Sequence, residues 1–170
     1  LDEVIPYINW TPFFHAWGLK GLYPGILEDS GGGTRARQLL ADGQTLLAQI
    51  VEERLLKLDG VYGFFPANSI GQDIEVFTDE ERITVRAQFH TLRQQLVRPA
   101  EEANLALSDF IAPSETGLAD YLGAFAVTSG HGLDELRKTL EADHDDYNSI
   151  MSKVLADRLA EALAEWLHCK

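Results

Sequence analysis

The chain has 170 residues, 45% hydrophobic and 24% charged, an ordinary globular balance that argues against disorder and allows one domain with a real core. Its formal net charge of −13 repels phosphate backbones and argues against a nucleic-acid role. No apolar run reaches the length of a membrane-spanning helix, and the opening LDEVIPY lacks the basic region and apolar stretch of a secretory signal.

One cysteine, Cys169, rules out an intrachain disulfide and a cysteine metal cluster. It fits a reducing, cytoplasmic setting.

The first predicted element is a short helix in TPFFHAWGLKG. Thr11 or Asn9 caps it, Pro12 suits its first turn, and Gly21 ends it. Helical spacing puts Phe13, Phe14 and Trp17 on one apolar face. LYPGILEDSGGGT then reads as a loop whose glycines, Gly31, Gly32 and Gly33, form a mobile hinge. The hinge lacks the preceding strand and the lysine of a phosphate-cradling loop.

A long helix is predicted over residues 34–58, with Leu39, Leu40, Leu46, Leu47, Ile50, Val51, Leu55 and Leu58 as its stripe. VYGFFPAN reads as a strand ending at Pro66, and QDIEVF as a second, with Ile74 and Val76 on one face. TDEER makes a turn. RITVRAQFH alternates, which predicts Ile83, Val85, Ala87 and Phe89 inward on a half-buried antiparallel strand. TLRQQLVRP continues as a short helix or loop.

The segment LALSDFIAPSETGLADYLGAFAVTSG holds a short strand, a loop and an apolar run over 121–128. The glycine and alanines of that run suggest close packing on another element. Two helices follow, at about 133–142 and 145–168. The second carries the stripe Tyr147, Ile150, Met151, Val154, Leu155, Leu159, Leu163 and Trp166. The sum is an α+β chain without internal repeats or a visible domain boundary.

Few residues suggest chemistry. His15, His90, His131, His144 and His168 form no metal-ligand pair. DHDDYN (143–148) has the look of a metal or acid–base site, but a helix start loaded with caps and dipole-matched acids explains it better. Ser69, Ser108 and Ser129 lie outside any nucleophile elbow. GFFPAN is either a strand-to-loop exit or the lining of a ligand cleft, and composition favours the exit.

The succession INWTPFFHAWGLKGLYPGIL, GVYGFFPAN, DIEVF, LRQQ, LSDFIAP, DYLGAFAVT, HDDYNSIM and LADRLAEALAEWLH resembles, in order and spacing along the whole chain, the C-terminal activation domain of cobalamin-dependent methionine synthase. The resemblance implies a helmet-shaped α+β fold with a twisted antiparallel sheet flanked by helices. It also implies a single domain over residues 1–170, part of the family's activation domain. In that family the enzyme moves a methyl group from methyltetrahydrofolate to homocysteine through cobalamin. The activation domain binds S-adenosylmethionine and caps the cobalamin-binding domain when oxidised cobalamin is repaired. A flavodoxin-like flavoprotein supplies the electron. Cobalamin is held by the partner domain, and zinc belongs to the parent enzyme only.

The resemblance carries two residues over. Asn9 stands where the family often has an aspartate that contacts S-adenosylmethionine; an amide donates and accepts hydrogen bonds but carries no charge. Asp157, in LADRLAE, takes the place of an acid facing the cobalamin domain; its plainer reading is a solvated helix residue paired with a neighbouring charge. The family's Arg-Pro-Ala-Pro-Gly-Tyr-Pro ligand segment follows the long last helix. These 170 residues therefore read as the first part of a larger domain or a truncated one. Two functions follow as expectations: an S-adenosylmethionine-binding reactivation module, not catalytic in isolation, or a non-catalytic module that docks to a corrinoid protein without that ligand.

Overall fold

The computed structural model describes residues 1–99 and 102–170. The elements run α1 (Trp10–Ala16), α2 (Gly33–Glu52), β1 (Lys57–Ile70), β2 (Asp73–Phe77), β3 (Val85–His90), β4 (Asp120–His131), α3 (Leu133–Ala142) and α4 (Asp146–His168). Short 3-10 turns lie between them. The four strands form one sheet in the order β3-β2-β1-β4, with β1–β2 and β2–β3 antiparallel. The α+β class is as the sequence implies.

The chain divides into two compact units, residues 1–60 with 127–170, and residues 61–126. The first holds a helical core. Phe13 and Phe14 of α1, Leu39, Leu40, Leu46, Leu47 and Ile50 of α2, and Met151, Leu155, Leu159 and Leu163 of α4 are buried together. These are the stripes read from 3.6-residue spacing. Trp17, Val51, Leu55, Leu58, Val154 and Trp166 are only partly buried, and Tyr147 and Ile150 are exposed. The second unit buries a smaller cluster, Ala67, Ile74 and Val76, with Phe65, Ile111 and Leu122 against it.

Helix ends depart from the sequence reading for a common reason. α1 stops at Ala16, short of the expected end at Gly21, because Gly18 takes φ +74° and Leu19 N–H donates back to Phe14 O at 3.1 Å. This is a Schellman closure, which satisfies the last carbonyls of a helix. α2 ends the same way at Glu52, with Arg54 at φ 54° and Leu55 N–H donating to Ile50 O at 3.0 Å. The apolar residues that extended its stripe to Leu58 instead lead into β1.

Of the expected glycine hinge, Gly33 is the first residue of α2, and Gly31 and Gly32 are tied to the preceding turn, where the Asp29 carboxylate accepts from their N–H groups at 3.0 and 2.7 Å.

Strand readings also shift. β1 runs through Pro66 to Ile70; its pairing with β2 begins at Ala67, so the missing proline N–H breaks no bond of that ladder. In β3 the register slips: Val76 pairs with Ala87 but Phe77 with Val85, leaving Arg86 extra. A bulge of this kind ends strict alternation. All six residues of β3 are exposed, and so is Ile83, against the inward face that alternation predicted. The expected strand in LALSDF is a 3-10 turn, Leu107–Phe110. The close packing expected of the small residues in β4 is met at Gly123, where a Cβ would touch the Phe64 ring at 3.3 Å, and not at Ala124 and Ala126, which are exposed.

Candidate functional site

Asn9 is the N-cap of α1. Its backbone is extended (φ −82°, ψ 110°), and its Oδ1 accepts from Thr11 N at 3.0 Å. That bond satisfies one of the orphan donors at a helix start. The residue is exposed, and a side-chain amide NH2 is a hydrogen-bond donor. The surroundings fix this helix start in place. Thr11 Oγ1 accepts from Tyr23 N at 3.0 Å, His15 Nε2 lies 3.2 Å from Gly21 O, and the Phe14 and Tyr23 rings stack with centroids 6.2 Å apart. The residues after α1 thereby fold back on it. Of the two capping choices the sequence left open, Asn9 caps and Thr11 anchors the returning loop.

Near the other end of α1 lies a constellation that sequence reasoning missed. The Tyr147 hydroxyl donates to Asp42 Oδ2 at 2.9 Å, and its ring packs on Trp17 with centroids 5.1 Å apart. Among the described residues, the buried Trp17 indole N–H has no hydrogen-bond partner. Burial first, then the Asp42 hydrogen bond, push the Tyr147 hydroxyl up to about 12. Tyr147 and Asp42 lie on α4 and α2, far apart in the chain, so no local pattern announces the pair.

Asp157 sits on α4 with its side chain 69% exposed, and its Oδ2 lies 2.5 Å from Arg158 Nη2. Arg158 is itself buried and also grips Glu161, Nη1 to Oε2 at 2.6 Å and Nη2 to Oε1 at 2.9 Å. One buried guanidinium thus holds two outward carboxylates. Among the described residues, Asn9 and Asp157 share no hydrogen bond or ion pair.

The remaining motifs are structural. In DHDDYN, His144 takes φ 58° and Asp145 N–H donates to Leu140 O at 2.8 Å, closing α3. The Asp145 side chain then caps α4 through Asn148 N at 3.0 Å, and that bond holds its carboxyl below the ordinary range. Asn68 of GFFPAN is buried: its Nδ2 donates to Ala112 O and Leu118 O at 2.9 Å each, and its Oδ1 accepts from Arg82 at 3.0 Å. Ser69 and Ser129 donate to the backbone carbonyls of Ile111 and Ala156, and Ser108 accepts from Thr91.

Residues 1–170 match the protein family described as the activation domain of vitamin B12 dependent methionine synthase. The chain belongs to this family. A crystal structure of the MetH reactivation domain bound to AdoHcy is similar to it, with a TM-score of 0.87 and 52% sequence identity over 97% of this chain. The match covers 50% of that domain's chain, so these residues span about half its length. Among the described residues of this chain, no helix is long and apolar enough to cross a membrane.

Proposed function

We propose that this chain is part of the reactivation module of cobalamin-dependent methionine synthase, a 5-methyltetrahydrofolate–homocysteine methyltransferase. In this reading it works in the cytoplasm and helps to bind S-adenosylmethionine for the reductive methylation of oxidised cobalamin. The observation that carries the reading is the 52% identical match to a reactivation domain bound to AdoHcy, the form S-adenosylmethionine takes after giving up its methyl group. Asn9 is the residue of this chain assigned to the ligand: its exposed NH2 group donates to the amino-acid or ribose part while its Oδ1 holds the helix start. Asp157, held outward by Arg158, faces the cobalamin-binding domain of the same enzyme. A flavodoxin-like flavoprotein is the electron source.

S-adenosylmethionine brings an already activated methyl group, and reduced cobalamin is a strong nucleophile, so the protein's task is orientation. No acid, base or nucleophile is required of the chain, and none is assigned. Calorimetric titration with S-adenosylmethionine tests the reading. Saturable heat with a rise in melting temperature is the expected result. The absence of both at millimolar ligand removes the binding claim for these 170 residues.

The neutral Asn9, where the family often has an acid, favours a second reading. A corrinoid-docking module without the ligand would give no heat with S-adenosylmethionine and would still bind a cobalamin domain.

A further inference from the structure

Thr11 ties Tyr23 to Asn9. Its backbone N–H donates to Asn9 Oδ1 at 3.0 Å, and its hydroxyl oxygen accepts from Tyr23 N, also at 3.0 Å. The turn that delivers Tyr23 is itself fixed. Gly21 takes φ +144°, and a Cβ there would stand 3.1 Å from Cγ1 of the buried Ile26. The Tyr23 ring then lies nearly parallel to that of Phe14, with 21° between the planes. Phe14 is fully buried, whereas Tyr23 is 39% exposed. One side of the tyrosine ring therefore covers the core and the other is open. An aromatic face carries the negative part of the ring quadrupole and attracts cations. Trp10, the ring next to Asn9 in the chain, is already engaged edge to face with Phe13 in the core cluster.

We propose that the outer face of Tyr23 receives the sulfonium of S-adenosylmethionine. The inference rests on the S-adenosylmethionine reading of this chain and deepens it. Asn9 is assigned to the amino-acid or the ribose part of the ligand. The sulfonium is bonded between those two parts, so whichever one Asn9 takes, the charged sulfur lies next to it. Tyr23 is the ring with an open face that Thr11 holds beside Asn9. When the methyl group leaves, the S–CH3 bonding pair stays on sulfur, and the thioether of AdoHcy carries no charge. A ring that attracts the sulfonium therefore binds the methyl donor in preference to its spent form.

The test titrates the chain calorimetrically with S-adenosylmethionine and, separately, with AdoHcy, in the parent and in the variants Tyr23→Leu and Tyr23→Phe. Leucine keeps an apolar cover over Phe14 and removes the aromatic face; phenylalanine keeps the face. The expected result is that Tyr23→Leu weakens S-adenosylmethionine about fivefold and AdoHcy by less than about twofold, while Tyr23→Phe holds both within about twofold of the parent. Because the two ligands are compared in the same variant, a loss of stability alone moves both alike. Equal weakening of the two ligands by Tyr23→Leu, or weakening of neither, overturns the proposal and leaves S-adenosylmethionine binding standing. A parent that takes up neither ligand overturns it together with the reading beneath it.

Discussion

Gly43 of α2 lies beneath the Phe13 ring of α1: a Cβ at residue 43 would stand 2.7 Å from Phe13 Cζ and 3.6 Å from Met151 Sδ of α4. Three helices meet at this point, and the absent side chain is what lets the ring in. Gly43→Ala is therefore expected to destabilise by about 1 to 3 kcal/mol despite its better helix propensity. Phe13→Ala, at a fully buried position, is expected to cost about 3 to 5 kcal/mol. Urea unfolding measures both. The double variant should lose less than the sum, since the smaller residue removes the clash.

Trp10 tests the same helix start differently. It is only partly buried and meets the Phe13 ring edge to face with centroids 5.1 Å apart. Trp10→Ala should lower stability by less than Phe13→Ala, and a variant that melts like the parent would refute a packing role.

Asn9 separates capping from binding. Asn9→Ala should cost about 1 kcal/mol, because Thr11 N loses its acceptor. Asn9→Asp keeps the cap and adds a charge. It should leave the melting temperature nearly unchanged while tightening S-adenosylmethionine about tenfold, charge-assisted hydrogen bonds being roughly twice as strong as neutral ones. Parallel melting and calorimetric titration check the two effects separately.

Asp157 is expected to matter for docking and little for folding. Its carboxylate is exposed and Arg158 keeps Glu161 as a second partner. Asp157→Asn should change stability by no more than about 0.5 kcal/mol, while weakening binding of an isolated cobalamin domain. Equal binding by the variant would return Asp157 to a plain surface ion pair.

Two groups give a pH dependence of opposite sign. Tyr147 is raised to about 12, above an unfolded value near 10. Its contribution is complete below about 10 and is lost as pH rises from there through about 12. Spectrophotometric titration of Asp42→Asn should bring Tyr147 down, though not fully, since burial is the larger cause. Asp109 is lowered to about 2, first by the Arg93 hydrogen bonds and then by Ala106 N–H. Its contribution is present above about 4 and is lost as pH falls through about 2. Arg93→Ala should move the Asp109 titration upward, as followed by NMR of the carboxyl carbon.

Local physics made much of this fold legible in the sequence. The stripes of α2 and α4 and the alternating Ile74 and Val76 are periodic because burial on one face selects a period. The acids at the start of α4 were readable because a cap acts within three residues. Asn9 stood out only by resemblance; its capping role was one of two local choices.

Tertiary structure decided what lies beyond a few residues of chain. Arg54 and His144 close helices in a left-handed conformation that no glycine advertised, and the extra Arg86 broke an alternation that looked unbroken in sequence. The Tyr147–Asp42 bond joins residues 105 positions apart. Sequence determined which side chains favour burial. Packing alone determined which are covered, because cover is supplied by distant segments whose contacts leave no periodic trace.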